Sequence, residues 1–196
     1  MQLATDPNGA CDRCVTKAEL RREARQRIVK VTEREEKSRA MAAAIAVLPI
    51  YLAAERVALF APLPSEPMIE LLWESAPRQF CYPRVQGDDL LLLDVAHPWE
   101  VQETPWHPQI REPIVRAERI VALHQVDLVL VPGLAFTRDG RRLGRGRGFY
   151  DRLLAGKGSR TQLVGVCFAD QLFDDILCEA HDARMDIVIT ESGTTL

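Results

Sequence analysis

Cysteine is scarce in this 196-residue chain: five residues, odd in number and mostly isolated. A secreted disulfide framework is built differently, so reduced thiols are expected. Cys11 and Cys14 do form a CxxC, but structural zinc takes about four ligands and no second close pair of Cys or His follows. The pair lies in "ATDPNGACDRC", a polar lead-in with no strand before it to present a redox dithiol. Residues 1–15 therefore read as a flexible tail carrying two thiols. Long hydrophobic runs are missing as well. "DLVLVPGLAF" falls short of the roughly 18–20 apolar residues that cross a bilayer, and the N-terminus has no charged-then-apolar signal pattern. A soluble cytoplasmic protein without a membrane partner is expected. Nor is basic charge in excess: 25 Lys and Arg against 28 Asp and Glu leave a formal charge of -3. That balance argues against a surface built throughout to grip nucleic acid, so any anion site must be local.

What is present suits one α/β domain over residues 16–196, because 47% hydrophobic content in a chain of this length can bury one substantial core. "TKAE", from Thr16, is a capping box ahead of the helix formers "KAELRREARQRI". "TERE" at 32–35 repeats the signature, which predicts a second helix over 33–48 closed by Pro49. On the first helix Lys17, Arg21 and Arg25 share a face. A solvated basic stripe explains them, yet Lys17 lies in the first turn, where the helix dipole disfavours a cation and a bound anion would offset the cost. Farther on, "RVALFAPL" and "QFCYPRV" read as strands around a helical "PMIELLWESA". "DDLLLLDV" and "WEVQE" suggest an extended pair, and "PWHPQIREP" a proline-punctuated loop. "VDLVLVPG", "QLVGVCF" and "MDIVIT" are β-branched apolar runs without polar alternation, as in strands buried on both faces. With helices expected near Phe149 and Gln171, the fold class is α/β: a mostly parallel open sheet layered by helices, with a helical N-terminal region.

One stretch carries unusual chemistry. "LGRGRGFYDR", residues 143–152, follows the strand ending at Gly133 and runs into a helix, at the sheet end where open α/β folds bind ligands. Glycines let backbone N–H groups approach an oxygen-rich ligand, and the intervening arginines can fork onto phosphate. A plain turn needs one glycine rather than three, and six arginines between 138 and 152 would repel one another without a counter-anion. An RNA-binding RG segment has the charge, but such tracts are repetitive and disordered. A nucleotide-phosphate cradle accounts for most of the features, and the other two readings stay open. Asp151 in the first helical turn and Asp182 in "AHD" are candidate magnesium ligands, since magnesium takes one or two carboxylates and borrows phosphate oxygens. A cap or surface charge is the plainer role for either.

These residues also carry a family likeness. "VPGLAFTRDGRRLGRGRGFYDRLL" resembles the signature of the 5-formyltetrahydrofolate cyclo-ligases, or methenyltetrahydrofolate synthetases. "VGVCFADQLFDDILCEAHDARMDIVIT" is similar to their C-terminal segment, and "KAELR", "PLPSEP", "YPRV" and "REP" extend the match. The resemblance implies an ATP- and magnesium-dependent enzyme converting 5-formyltetrahydrofolate to 5,10-methenyltetrahydrofolate, with ADP and phosphate released. It implies that Lys17 and Arg21 contact ATP phosphates and that Arg142, Leu143, Gly144, Arg145, Gly146, Arg147, Gly148, Phe149 and Tyr150 wrap the nucleotide. Arg145, Gly146, Arg147, Gly148 and Phe149 would also touch folate, with Arg145, Arg147 and Tyr150 at the reacting groups. Glu66 would hydrogen-bond the pterin and Trp106 would stack on it, while Asp151 and Asp182 would hold Mg2+. Phe149 stands where many members have tyrosine, and Arg147 where lysine is common. The partners implied are small molecules, with no nucleic acid, and the chain is expected to be a monomer. A non-catalytic folate- or nucleotide-binding regulator is the alternative on the same fold.

Overall fold

The computed structural model describes residues 16–75, 78–104, 107–179 and 182–195. The Cys11/Cys14 segment, Trp106 and His181 lie outside the described residues. Thr16 caps helix α1 (Lys17–Val29) as its sequence predicts: its hydroxyl accepts from the Glu19 N–H at 3.2 Å, and Glu19 accepts from the Thr16 N–H at 2.9 Å. Leu20, Ala24 and Ile28 recur every four residues and bury one face of α1 against Leu134, Leu143, Phe173 and Ile176. The second capping signature does not act as one. Glu33, not Thr32, precedes helix α2 (Arg34–Ala46), in the left-handed region at φ 54° and without a side-chain cap. Pro49 ends that path as expected and then starts helix α3 (Pro49–Ala53), where its missing N–H costs nothing.

The strands are β1 (Arg56–Ala58), β2 (Gln79–Gln86), β3 (Asp89–Val95), β4 (Val101–Thr104), β5 (His107–Pro113) and β6 (Ile120–Val121). Then come β7 (Leu128–Val131), β8 (Ala135–Phe136), β9 (Arg142–Leu143), helix α4 (Phe149–Leu154), β10 (Gln162–Val166), β11 (Ile187–Thr190) and β12 (Gly193–Thr195). The main sheet has the order β12-β11-β10-β7-β1-β2-β3-β6. Its centre, from β11 to β2, is parallel, and antiparallel strands finish both sides. Alternate residues along β7 enter different cores: Leu128 and Leu130 join one cluster, Val129 and Val131 the other. Both faces are therefore covered, which is why these strands read as unbroken apolar runs. No helix among the described residues is long and apolar enough to cross a membrane.

Four expectations change in the structure. "PMIELLWESA" forms only a 3₁₀ stretch, Ile69–Glu74, because the segment between Pro67 and Pro77 is short. "DDLLLLDV" pairs with β2 as a hairpin rather than with "WEVQE". The proline loop is strand β5, paired with β4 on one side; its prolines are tolerated because edge strands do not need every N–H. Near Gln171 there is a single 3₁₀ turn, Ala169–Gln171, whose buried Gln171 amide donates to the Gly133 and Leu134 carbonyls. A short β8–β9 hairpin also intervenes before the glycine stretch.

Candidate active site

Between β1 and β7 the chain's direction of winding reverses: β1 leads to β2 on one side, and β7 leads to β10 and β11 on the other. Loops leaving the carboxyl ends of such neighbours part and leave a crevice. The loop after β1 supplies Glu66, and the segment after β7 supplies Pro132, Gly133 and the β8–β9 hairpin. That hairpin ends in the glycine stretch. Gly146 at φ 106° and Gly148 at φ 67° adopt backbone that side chains rarely tolerate, so the glycines set the loop's path. From outside, α1 props it: the Arg21 Nε donates to the Gly144 carbonyl at 3.1 Å, and a Cβ on Gly146 would lie 3.4 Å from the Arg21 guanidinium carbon.

The loop forms one wall of an open-mouthed cavity of about 190 Å³. Gly144, Arg145, Arg147, Gly148, Phe149, Tyr150 and Asp151 line that wall. Phe60, Leu63, Pro83, Val85, Leu90 and Ile110 make an apolar surface from the loop after β1 and from β2, β3 and β5. Two buried acids, Glu66 and Glu112, interrupt the apolar lining. Arg145 spans to Glu66, with Nη2 and Nε 2.7 and 3.2 Å from its Oε1; Glu66 Oε2 accepts from the Leu63 N–H at 3.0 Å. Arg142, its side chain only 4% exposed, donates to Asp151 Oδ1 at 2.6 Å and to the Pro132 carbonyl at 3.2 Å. Its guanidinium also lies 5.6 Å from the Tyr150 ring centre. Burial, aided by the Glu66 charge and opposed by Arg142, raises the Tyr150 phenol well above its ordinary range, so it keeps its proton even in alkaline solution where a free phenol would lose it.

For four of the six arginines the repulsion anticipated from sequence is met internally. Arg141 pairs with Asp139 and Asp175, Arg142 with Asp151, Arg145 with Glu66, and Arg152 with Asp89. Arg147, exposed on the cavity wall, forms no ion pair among the described residues. A second charged group lies outside the cavity lining. Lys17 Nζ meets Asp182 Oδ2 at 2.9 Å and Glu179 Oε1 at 2.8 Å. Burial works to lower the Lys17 pKa, but hydrogen bonds and attraction from these two acids outweigh it and raise it. The unfavourable first-turn position of Lys17 is thus offset here by carboxylates.

The structure brings Glu66, Arg142, Gly144, Arg145, Arg147, Gly148, Phe149, Tyr150 and Asp151 into one lining. Gly146 and Arg21 stand on the loop's other side, Leu143 is buried beneath it, and Lys17 and Asp182 form their own pair. Asp151 and Asp182 each already neutralise a cation, and no cluster of three or more His, Cys, Asp and Glu residues capable of holding a metal occurs among the described residues. Asp151 lies on the cavity wall and Asp182 outside it, so the two do not form a metal cage of their own, and a hard cation there would have to bring most of its ligands as phosphate and water oxygens. Glu112 was missed as a site residue. It stands in the "REP" string, and only recognising that string as a strand facing the crevice would have exposed it.

Comparisons with known proteins agree with this architecture. The profile of the 5-formyltetrahydrofolate cyclo-ligase family matches residues 13–191. The 5-formyltetrahydrofolate cyclo-ligase of Escherichia coli is 29% identical over 185 residues, covering 86% of this chain and 95% of that one. The Mycolicibacterium smegmatis protein of the same name is 47% identical over 66 residues, 34% of either chain. The solution structure of Aquifex aeolicus 5,10-methenyltetrahydrofolate synthetase superposes with a TM-score of 0.79 at 29% identity, covering 91% of each chain. With a profile match that runs from ahead of α1 to the end of β11, the chain belongs to the 5-formyltetrahydrofolate cyclo-ligase family.

Proposed function

We propose that this cavity and its glycine loop convert 5-formyltetrahydrofolate to 5,10-methenyltetrahydrofolate at the expense of ATP. The observation that carries the reading is a shared wall: the glycine- and arginine-rich loop also closes an apolar cavity with acidic hydrogen-bond acceptors. In the reaction, the formyl oxygen attacks the γ-phosphorus of ATP and ADP leaves. N10 then bonds to the activated carbon and loses its proton, and the C–O bond breaks to release phosphate and close the ring. The formyl oxygen is a poor leaving group until phosphorylated, and phosphoryl transfer is catalysed by positioning and charge neutralisation.

Each residue has a part in that scheme. The backbone and side chains from 142 to 150 hold the nucleotide, with Lys17 and Arg21 on the α1 side. Arg147, the loop's uncommitted charge on the cavity wall, meets the transferring phosphoryl group. Arg145 is held by Glu66 where folate and ATP meet, and Tyr150 donates from beneath. Glu66 keeps lone pairs beyond its present bonds and can accept from the pterin as well. Trp106 belongs to the proposal as a stacking residue. Asp151 and Asp182 would hold Mg2+, which supplies charge neutralisation at the phosphate oxygens. The ligands in this proposal are small molecules, with no nucleic acid or membrane, and the enzyme acts as a cytoplasmic monomer. The test is direct: purified protein with ATP, magnesium and 5-formyltetrahydrofolate should produce the methenyl chromophore and ADP in equal amounts. Tight folate binding without ADP would point instead to a non-catalytic binding protein.

A further inference from the structure

Glu112 has no role in the scheme above, yet it is the more deeply buried of the two buried acids on the cavity wall, with a side chain 3% exposed. Strand β5 fixes it, and its Oε1 accepts from the Val85 N–H at 3.0 Å. Its Oε2 is buried and has no hydrogen-bond partner among the described residues. Arg84 is the cation at hand, but its Nη1 stands 3.6 Å away and donates instead to the Pro113 carbonyl at 2.9 Å. Buried acceptors are ordinarily satisfied, and leaving one unmet is costly, the more so for a carboxylate. Glu66, by contrast, has both oxygens engaged. Pro83, Val85, Leu90 and Ile110 line the same cavity, and their side chains can cover the faces of a flat ring but offer its N–H groups no acceptor.

We propose that Glu112 is a specificity-determining residue, whose Oε2 accepts a hydrogen bond from the aminopyrimidinone edge of the pterin, at the ring N3–H or the 2-amino group. This rests on the reading of the cavity as the folate site. Its chemistry is selective, because a carboxylate binds N–H donors and repels a carbonyl or ring nitrogen lone pair placed at the same point. Glu66, beside the loop, remains available to donors on the other side of the ring.

The experiment compares the parent protein with E112Q for binding of 5-formyltetrahydrofolate, of its analogue lacking the 2-amino group, and of ATP. Glutamine keeps the acceptor for Val85 and the shape of the side chain, and a thermal melt confirms folding; E112D carries the same comparison if E112Q does not fold. Losing a charge-assisted hydrogen bond should weaken the natural folate roughly tenfold to a hundredfold, with ATP affinity unchanged. The parent should discriminate against the analogue by a similar factor, and the variant should narrow that gap to about threefold or less. Equal affinity of parent and variant for the natural folate, or an undiminished gap in the variant, overturns the role of Glu112 while leaving a chromophore-forming parent intact. A parent that binds no folate overturns the reading of the cavity itself.

Discussion

Replacing Asp151 separates a structural role from a metal role. The structure places its Oδ1 2.6 Å from the Nη2 of Arg142, whose side chain is 4% exposed and whose only other hydrogen bond among the described residues is to the Pro132 carbonyl. Asp151→Asn keeps an acceptor there but removes its charge. Charged hydrogen bonds contribute about 1.5–3 kcal/mol and neutral ones about 0.5–1.5, so the expected cost is about 1–1.5 kcal/mol. Asp151→Ala leaves the guanidinium unpaired. Breaking a buried pair costs about 3–5 kcal/mol, and because Asp151 is itself 25% exposed we expect about 2–3. At about 2–4 °C per kcal/mol for a chain of this length, Tm should fall roughly 2–6 °C for Asn and 4–12 °C for Ala. Thermal melts without nucleotide measure this. Magnesium titration of the activity measures the other role, and both variants should need more metal. An alanine variant that melts with the parent refutes the buried-pair reasoning, whereas an unchanged magnesium requirement refutes the metal assignment.

Three further outcomes are expected. Arg147→Lys should retain most activity, because a point charge can still reach one phosphate oxygen, whereas Arg147→Gln should lose roughly tenfold to more than a hundredfold in kcat; equal turnover would remove Arg147 from catalysis. Gly146→Val should weaken ATP binding with every arginine present, since φ 106° excludes a β-branched residue and its side chain would press on Arg21; calorimetric titration with ATP decides it. Glu100 is buried, which alone would raise its pKa, but the Ala96 N–H, Arg119 and the His97 N–H hold it below its ordinary 4.5. The unfolded chain then binds this proton more tightly, so the stabilisation is present above that value and is lost as pH falls through the lower, folded pKa. Urea melts from neutral to acid pH should show a shallower acid loss in Glu100→Gln than in the parent; parallel curves would contradict the sign.

Elements whose own residues dictate them were legible in the sequence. Thr16 and Glu19 cap each other whatever surrounds them, and the β7, β10 and β11 runs are apolar on both faces because both faces are covered. Elements decided by distant partners were not. Thr32 and Glu35 match the letters of a capping box, yet the turn before α2 puts Glu33 in the left-handed region instead. The "PWHPQIREP" segment looks like a loop until β4 lies beside it. That misreading had a consequence for the site, because a loop Glu112 is a solvated acid and a strand Glu112 is a buried one.

The charge pattern of the glycine loop shows where local reading stops and tertiary pairing begins. Sequence alone says that six clustered arginines need counter-charge, and it assigns that counter-charge to a ligand. The fold supplies much of it internally, through Asp139 and Asp175, Asp151, Glu66 and Asp89. These pairs fix arginines whose long side chains would otherwise have to be ordered on binding, an entropic cost of about 0.5–1.5 kcal/mol for each immobilised side chain. In the proposed cradle this leaves a phosphate fewer groups to order, and it separates arginines fixed by ion pairs from Arg147, which lines the cavity with no ion pair among the described residues. Arg142 and Arg145 are anchored, the first almost fully buried and the second bound to Glu66, so their loss should disturb loop geometry as well as charge. Among the described residues Arg147 has no such anchor, and its loss should change charge with the loop path intact. Folate binding should therefore survive in Arg147→Gln and fail in Arg145→Gln, a contrast that charge counting along the sequence could not have drawn.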